Sequence, residues 1–214
     1  MKKTKEEMLV TRERIVKAGF DCFYNNGYEQ TSLAAIAQAA GVTRGAIYWH
    51  FEDKKALFRA VVDYTLERSD IAEYGKNLPA ELTYTDRLVE VFWYALDGNP
   101  YVEFIFKIIN LSSTGSEFND VEEKIRGFKH RLLDFIDVET KVFMRVHGKE
   151  TKGSEHIAST LTLMFEGMFL AKNINMGIKL DKEHVYKYTG IVTASMIFEA
   201  QPERWEKMLE RIIN

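Results

Sequence analysis

Residues 32–54, SLAAIAQAAGVTRGAIYWHFEDK, constrain this chain more than any other stretch. Leu33, Ile36, Ala37 and Ala40 recur at i, i+3, i+4 and i+7, so they share one helical face. Gly41 follows where a helix end needs a residue that tolerates left-handed backbone. Thr43 is placed to N-cap a second helix. That helix runs to about Trp49, buries little beyond Ile47, and displays Arg44, Tyr48, Trp49 and His50. Gly45 and Ala46 are small, so its backbone can come close to a partner surface. A helix, a glycine-containing turn and a short helix with polar residues at its start form the helix-turn-helix pattern, whose second helix lies in the major groove of DNA. An ordinary helical hairpin would also accept Ala-Gly-Val at its turn. It would not expose Tyr-Trp-His beside Arg44, Lys54 and Lys55. Arg44 has the donors for a guanine edge. Thr31 adds a candidate contact at the start of the first helix, where free amides favour anions, and Trp49 can touch a thymine methyl or the sugar backbone.

Beyond this stretch, a spaced pattern covers the first quarter of the chain: Ile15, Ala18, Phe23, Gly27, Thr31, Ile36, Ala37, Ala40-Gly41-Val42, Gly45, Tyr48, His50-Phe51, Lys54 and Leu57. It resembles the DNA-binding domain of the tetracycline-repressor (TetR) family, particularly the acridine-resistance-type members that control efflux pumps. VTRGAIYWHFEDK is close to what that branch carries. Gly19 departs from the pattern, since alanine is usual there, and should cost the first helix up to about 1 kcal/mol. The resemblance implies that Thr43, Tyr48, His50 and Lys54 position phosphates. It also implies a homodimer that packs two C-terminal helices as a four-helix bundle.

The net charge of −3 conceals an asymmetry. Residues 1–60 carry ten Lys/Arg against seven Asp/Glu, hence +3, and residues 61–214 carry nineteen against twenty-five, hence −6. A basic end on an acidic body fits a small nucleic-acid footprint. Cys22 is the only cysteine, which excludes an intrachain disulfide and suits a reducing compartment. The N-terminus lacks the apolar core of a signal peptide, because Glu6, Glu7, Arg12, Glu13 and Arg14 interrupt it. No run approaches the roughly 20 apolar residues that span a bilayer. A cytoplasmic protein with no membrane partner is the expectation.

The remainder reads as helices, so the expected fold is all-α. A three-helix helix-turn-helix domain (1–54) precedes a larger helical effector-binding and dimerisation domain (55–214). Thr4 to Glu7 form a capping box for the first helix. Helix 4 starts at Glu52-Asp53 with Leu57, Phe58, Val61, Val62 and Thr65 inward, and its pattern lapses between Glu73 and Leu82. Leu88, Val91, Phe92 and Ala95 mark the next helix, and Tyr101, Phe104, Ile105 and Ile108 the one after. The latter closes at Ser112 to Ser116. A long helix shows Val121, Ile125, Phe128, Leu132, Phe135, Val142, Phe143 and Val146. Two more span about Ser154–Met176 and Asp181–Glu199, with a tail helix from Pro202. All three prolines sit at junctions.

The last two long helices are apolar on more than one face, and a helix hydrophobic nearly all round must be buried nearly all round. A partner subunit would do that, with Leu161, Met168, Val185, Tyr188, Gly190, Val192 and Ala194 as interface candidates. Small-molecule sites are mostly apolar with few polar groups. The rings Phe92, Trp93, Phe104, Phe135, Phe143, Phe165 and Phe169 are candidate walls of such a site, with Asn110 and Asn173 as neutral hydrogen-bonding groups. Glu166, inside MFEGMFL, either lines that site and selects cationic inducers or pairs with a basic residue. No phosphate-binding loop, zinc-ligand spacing or nucleophile elbow appears, and the histidines at 50, 130, 147, 156 and 184 are scattered. No enzyme activity, cofactor or metal is expected. The leading expectation is a repressor released from a DNA operator by a small lipophilic effector. The helix leaving the motif would act as the lever. The alternative is an effector-free or protein-controlled DNA-binding factor.

Overall fold

The computed structural model of the chain describes residues 5–112, 118–174 and 176–197, with the side chains of 110–112 and 195–197 outside that description. Among the described residues every regular element is a helix. These are α1 (Lys5–Gln30), α2 (Leu33–Ala39), α3 (Arg44–His50), α4 (Lys54–Arg68), α5 (Ile71–Lys76), α6 (Tyr84–Leu96), α7 (Pro100–Ser112), α8 (Asn119–Val146), α9 (Ser154–Asn173) and α10 (Lys182–Ile197). Thr4 of the expected capping box, the expected tail helix from Pro202 and the loop at 113–116 lie outside the described residues. No described helix is long and apolar enough to cross a membrane.

Side-chain caps written in the sequence set five of the helix starts. Ser32, Thr43, Asp53, Asp70 and Thr83 each accept a hydrogen bond from the amide three residues on, satisfying one of the donors that a helix start leaves unpaired. Gly27 interrupts α1 with φ 77°, and Gly41 closes α2 with φ 61°.

The chain divides into two compact units, residues 1–69 with 100–125, and residues 70–99 with 126–214. In the first, α4 packs on α1 through Leu57, Phe58, Val61 and Val62, all fully buried. Gly19 lies at that crossing: a Cβ there would stand 3.0 Å from Val61 Cγ2, so the glycine admits the close approach of the two helices. Helix α7 packs against α4 in the same unit. Phe104 sits 5.4 Å from Phe20 and 6.3 Å from Phe58, ring to ring. Tyr24 donates to Glu103 at 2.5 Å, a bond that pushes the Tyr24 hydroxyl up to about 12. The ammonium of Lys107 lies 3.8 Å over the Tyr24 ring.

One expectation changes here. The helix after the motif was expected to continue to about residue 73, but it stops at Arg68, and Asp70 caps a separate helix, α5. The apolar phase runs on through Thr65, Ile71 and Ala72, which hides the break. Helix α4 lies wholly in the first unit and packs on α1.

In the second unit, α6 packs against α5, α9 and α10. Phe92 stacks on Phe165 at 5.1 Å. Tyr74 stacks on Tyr94 at 4.1 Å. A Cβ on Gly75 would stand 2.7 Å from Phe135 Cε2, so the ring occupies the space that any larger residue would need. Arg87 pairs bidentately with Glu139 at 2.8 and 2.9 Å. Lys172 donates to the carbonyl of Leu96. On α8 the inward row is as expected from Val121 to Phe135, but Val142 and Val146 are exposed.

Candidate nucleic-acid interface

The turn between α2 and α3 is built by local backbone bonds. Gly41 N–H donates to Gln38 O at 3.1 Å and Val42 N–H to Ala37 O at 3.0 Å, closing α2 with a left-handed residue. Thr43 Oγ1 accepts from Ala46 N–H at 3.2 Å and starts α3. Ile36 and Ile47 are fully buried and tie the two helices together. Everything polar or aromatic on α3 is then left facing outward.

That outward face carries most of the expected contacts. Thr43, Arg44, Gly45, Tyr48 and Trp49 are exposed, and Ala46 and His50 are half-buried. Trp49 is the most exposed ring of the motif at 67%, and it meets His50 edge-on at 4.8 Å. Arg44 donates to the Tyr48 hydroxyl at 3.1 Å and lies over its ring. That pair holds a guanidinium in place beside Gly45, whose missing Cβ leaves the surface open. Lys54 donates to Glu29 O at 3.2 Å, with its ammonium 4.3 Å over the Tyr28 ring. This fixes a half-buried cation next to α4's first turn.

Thr31 is placed differently from its expected role. It is buried, and its hydroxyl donates to the carbonyls of Gly27 at 2.7 Å and Cys22 at 3.1 Å. Its side chain seals the end of α1 and has no surface to offer a phosphate. The exposed hydroxyl at this helix start is Ser32, which caps α2. Both hydroxyls stand at the same helix start, and of the two only Ser32 is exposed. Arg12 was missed: it lies 5.0 Å over the Phe51 ring and stiffens the end of α3 from α1. No local signal connects positions 12 and 51.

The ring residues named as effector walls are divided between the two units. Phe104 belongs to the first unit with Phe20 and Phe58. Phe92, Phe165 and Phe169 pack on one another as buried core. Phe135 is pressed against Gly75, Trp93 is half-buried, and Phe143 stacks with Tyr84 and His147. Glu166 pairs with Lys129 at 2.8 Å, so its charge is matched within the chain. Asn173 is exposed and donates to the Phe169 carbonyl at 2.8 Å. The side chain of Asn110 lies outside the described residues.

Of the interface candidates, Leu161, Met168, Val185, Gly190 and Ala194 are buried within the single chain, and Tyr188 and Val192 are half-buried. The other row of α9 faces outward: Leu163 is 68% exposed, with Leu170 about two turns and Ile174 about three turns beyond it.

Residues 15–61 match the family model described as bacterial regulatory proteins, tetR family. The HTH-type transcriptional regulator TtgR of Pseudomonas putida is 49% identical over 70 residues, 33% of this chain and 33% of that protein. The chain thus matches about a third of that relative's length. Among solved structures, a TetR transcriptional regulator from Chloroflexus aurantiacus aligns with a TM-score of 0.71 at 23% identity, covering 89% of this chain and 96% of that one. NalD, the secondary repressor of the MexAB-OprM multidrug efflux pump in Pseudomonas aeruginosa, aligns at 0.59 and 23% over 86% and 96%. At those identities the likeness is one of fold, and it extends over the helical body that the sequence match leaves out. Residues 15–61 thus carry a helix-turn-helix domain of the tetR type, and the helical body behind it shares the fold of these solved regulators.

Proposed function

We propose that the protein is a homodimeric transcriptional repressor. It binds a near-palindromic operator through α3 and leaves it when a small lipophilic ligand occupies the helical body, and it controls an efflux system. The observation that carries the reading is the outward face of α3, where Arg44, Tyr48 and Trp49 stand free of the core on a helix tied down by Ile47 and capped by Thr43. The similarity of this segment to a named regulator and of the whole fold to an efflux-pump repressor supports it. Such a helix places Arg44 against base edges, where a bidentate pair discriminates by about 1–3 kcal/mol. Lys54, Thr43 and His50 serve the phosphates.

The dimer rests on the outward row of α9, Leu163, Leu170 and Ile174, an apolar stripe that water would otherwise cover. The charge of the ligand is not set by Glu166, since Lys129 already matches it. Ligand binding releases DNA only if the ligand prefers the state with mis-spaced recognition helices, because equal affinity for both states shifts nothing.

The experiment is a salt titration of operator binding for the parent, Lys54→Ala and Arg44→Ala. Lys54→Ala should weaken binding to every sequence and flatten the salt slope by about one unit, and Arg44→Ala should relax sequence choice. Parent-like footprints from both variants would overturn the assignment. Failure of every apolar compound to displace the operator would favour a factor without an effector.

A further inference from the structure

The second unit carries an open groove of about 750 Å³ between the segment that joins α5 to α6 and the last turns of α8. Its apolar walls are Leu78, Leu82, Val142, Phe143 and Val146. The size lies within the usual range of small-molecule sites, and apolar walls with few polar groups are what such sites present.

The groove is built in advance by Arg87. Its guanidinium donates to both carboxylate oxygens of Glu139 and to the carbonyls of Gly75 at 3.1 Å, Leu78 at 3.4 Å and Pro79 at 3.2 Å. One side chain thus binds the connecting segment to α8, and the wall needs little ordering when a ligand arrives. At the base, the buried Tyr84 hydroxyl bonds Thr140 Oγ1 at 2.7 Å. Along the rim, the His147 ring stacks on Phe143 at 4.1 Å and lengthens the aromatic wall.

Two observations single the groove out as occupied in function. Val142 and Val146 are exposed to water although the row from Val121 to Phe135 on the same helix is buried, and Val146 is 77% exposed. Both line the groove opposite Leu78 and Leu82. The charge is also one-sided. Lys76 and Arg87 line the groove against a single acid, Glu139, and both oxygens of that acid are held by Arg87. Lys76 has one carboxylate neighbour, Glu73, at 3.4 Å on its own helix, so its ammonium keeps protons to donate.

We propose that this groove binds a small apolar anion, an aromatic or branched carboxylate or sulfonate, with its body between Leu82 and Val142 and its charge at Lys76. A lipophilic cation is disfavoured there, because Lys76 and Arg87 outnumber Glu139 in the lining. Binding itself does not depend on the regulatory reading above. Only the claim that it releases DNA rests on that reading.

The probe is 1-anilinonaphthalene-8-sulfonate, titrated by fluorescence against the full-length chain without DNA. The site is located by the methyl resonances of Val142 and Val146. The parent should bind with shifts at both valines. Lys76→Gln and Val142→Glu, both at exposed positions, should each weaken binding by about ten-fold, the size of one lost charge-assisted contact, with unchanged melting temperatures. Tetraphenylphosphonium should not displace the probe. Parent-like affinity in both variants, unshifted valine methyls, or displacement by tetraphenylphosphonium would each overturn the proposal. A separate titration adds the probe to operator-bound protein. Release supports the groove as an effector site, whereas valine shifts without release leave the groove as an anion site and remove only its regulatory role.

Discussion

Replacing Arg87 by Met should cost the second unit about 3 kcal/mol. A hydrogen bond to a charged group is worth about 1.5–3 kcal/mol net, and Arg87 makes two to Glu139 besides three contacts to carbonyls. The side chains are only 14% and 18% exposed. Removing one partner thus strands a largely buried carboxylate, which costs about 3–5 kcal/mol when burial is complete. Residual water around Glu139 brings the figure to the low end. For a chain of this size each 1 kcal/mol moves the melting temperature by about 2–4 °C, so a fall of about 6–12 °C is expected. The assay is denaturant unfolding of Arg87→Met, Glu139→Gln and the double variant. The double variant should lose at least about 1 kcal/mol less than the two single losses together, since neither charge is then stranded. Hydrogen exchange at the Leu78 and Leu82 amides should also quicken, because they close turns on Gly75 and Pro79 that Arg87 holds. A loss below about 0.5 kcal/mol, or strictly additive effects, would refute the view that this pair fixes the connecting segment.

Other perturbations have sharp expectations. Leu163→Arg, on the outward row of α9, should turn a dimer into a monomer in sedimentation with little change in helical content. Ala194→Arg should instead unfold the chain, because Ala194 is buried within it; dimeric Leu163→Arg would refute that interface. Thr31→Val should lower stability by about 1–3 kcal/mol, through two stranded helix-end carbonyls, while leaving the salt slope of DNA binding unchanged; a flattened slope would return Thr31 to the phosphates. Asp120 is held below the usual carboxylate range chiefly by its hydrogen bond from Arg59 at 2.8 Å. A depressed pKa stabilises the fold above the ordinary value near 4 and is lost as the pH falls below it. Arg59→Gln should therefore reduce the acid sensitivity of the first unit below about pH 4, read by circular dichroism; an unchanged acid transition would deny the pair a role.

The motif was legible because its determinants are local. Helical spacing places Ile36 and Ile47 inward, Gly41 takes the left-handed turn, and Thr43 and Asp53 cap by reaching three residues ahead. The same spacing gave the core faces of α4, α6 and the first half of α8. What it hid depends on distant partners. Thr31 and Ser32 are adjacent hydroxyls at one helix start, and only the closing of α1 over Cys22 and Gly27 decides which turns inward. Phe104 packs with Phe20 and Phe58, some eighty and fifty residues earlier, a contact that no local spacing announces. On α9 both rows are apolar, so the sequence offers no way to choose between Leu161 and Leu163; packing within the chain takes Leu161 and leaves Leu163 outside. Gly19 read as a small helical penalty, although it serves the close crossing with Val61.

The most direct test of the account is selection of binding sites from random duplex DNA by the parent and by Arg44→Ala, each at two salt concentrations. The account predicts that the parent enriches a near-palindromic site with half-sites about one helical turn apart, or somewhat more. It predicts that Arg44→Ala enriches the same frame with one guanine position per half-site relaxed. An unchanged consensus from Arg44→Ala, or no enriched sequence from the parent, would contradict the claim that α3 reads DNA.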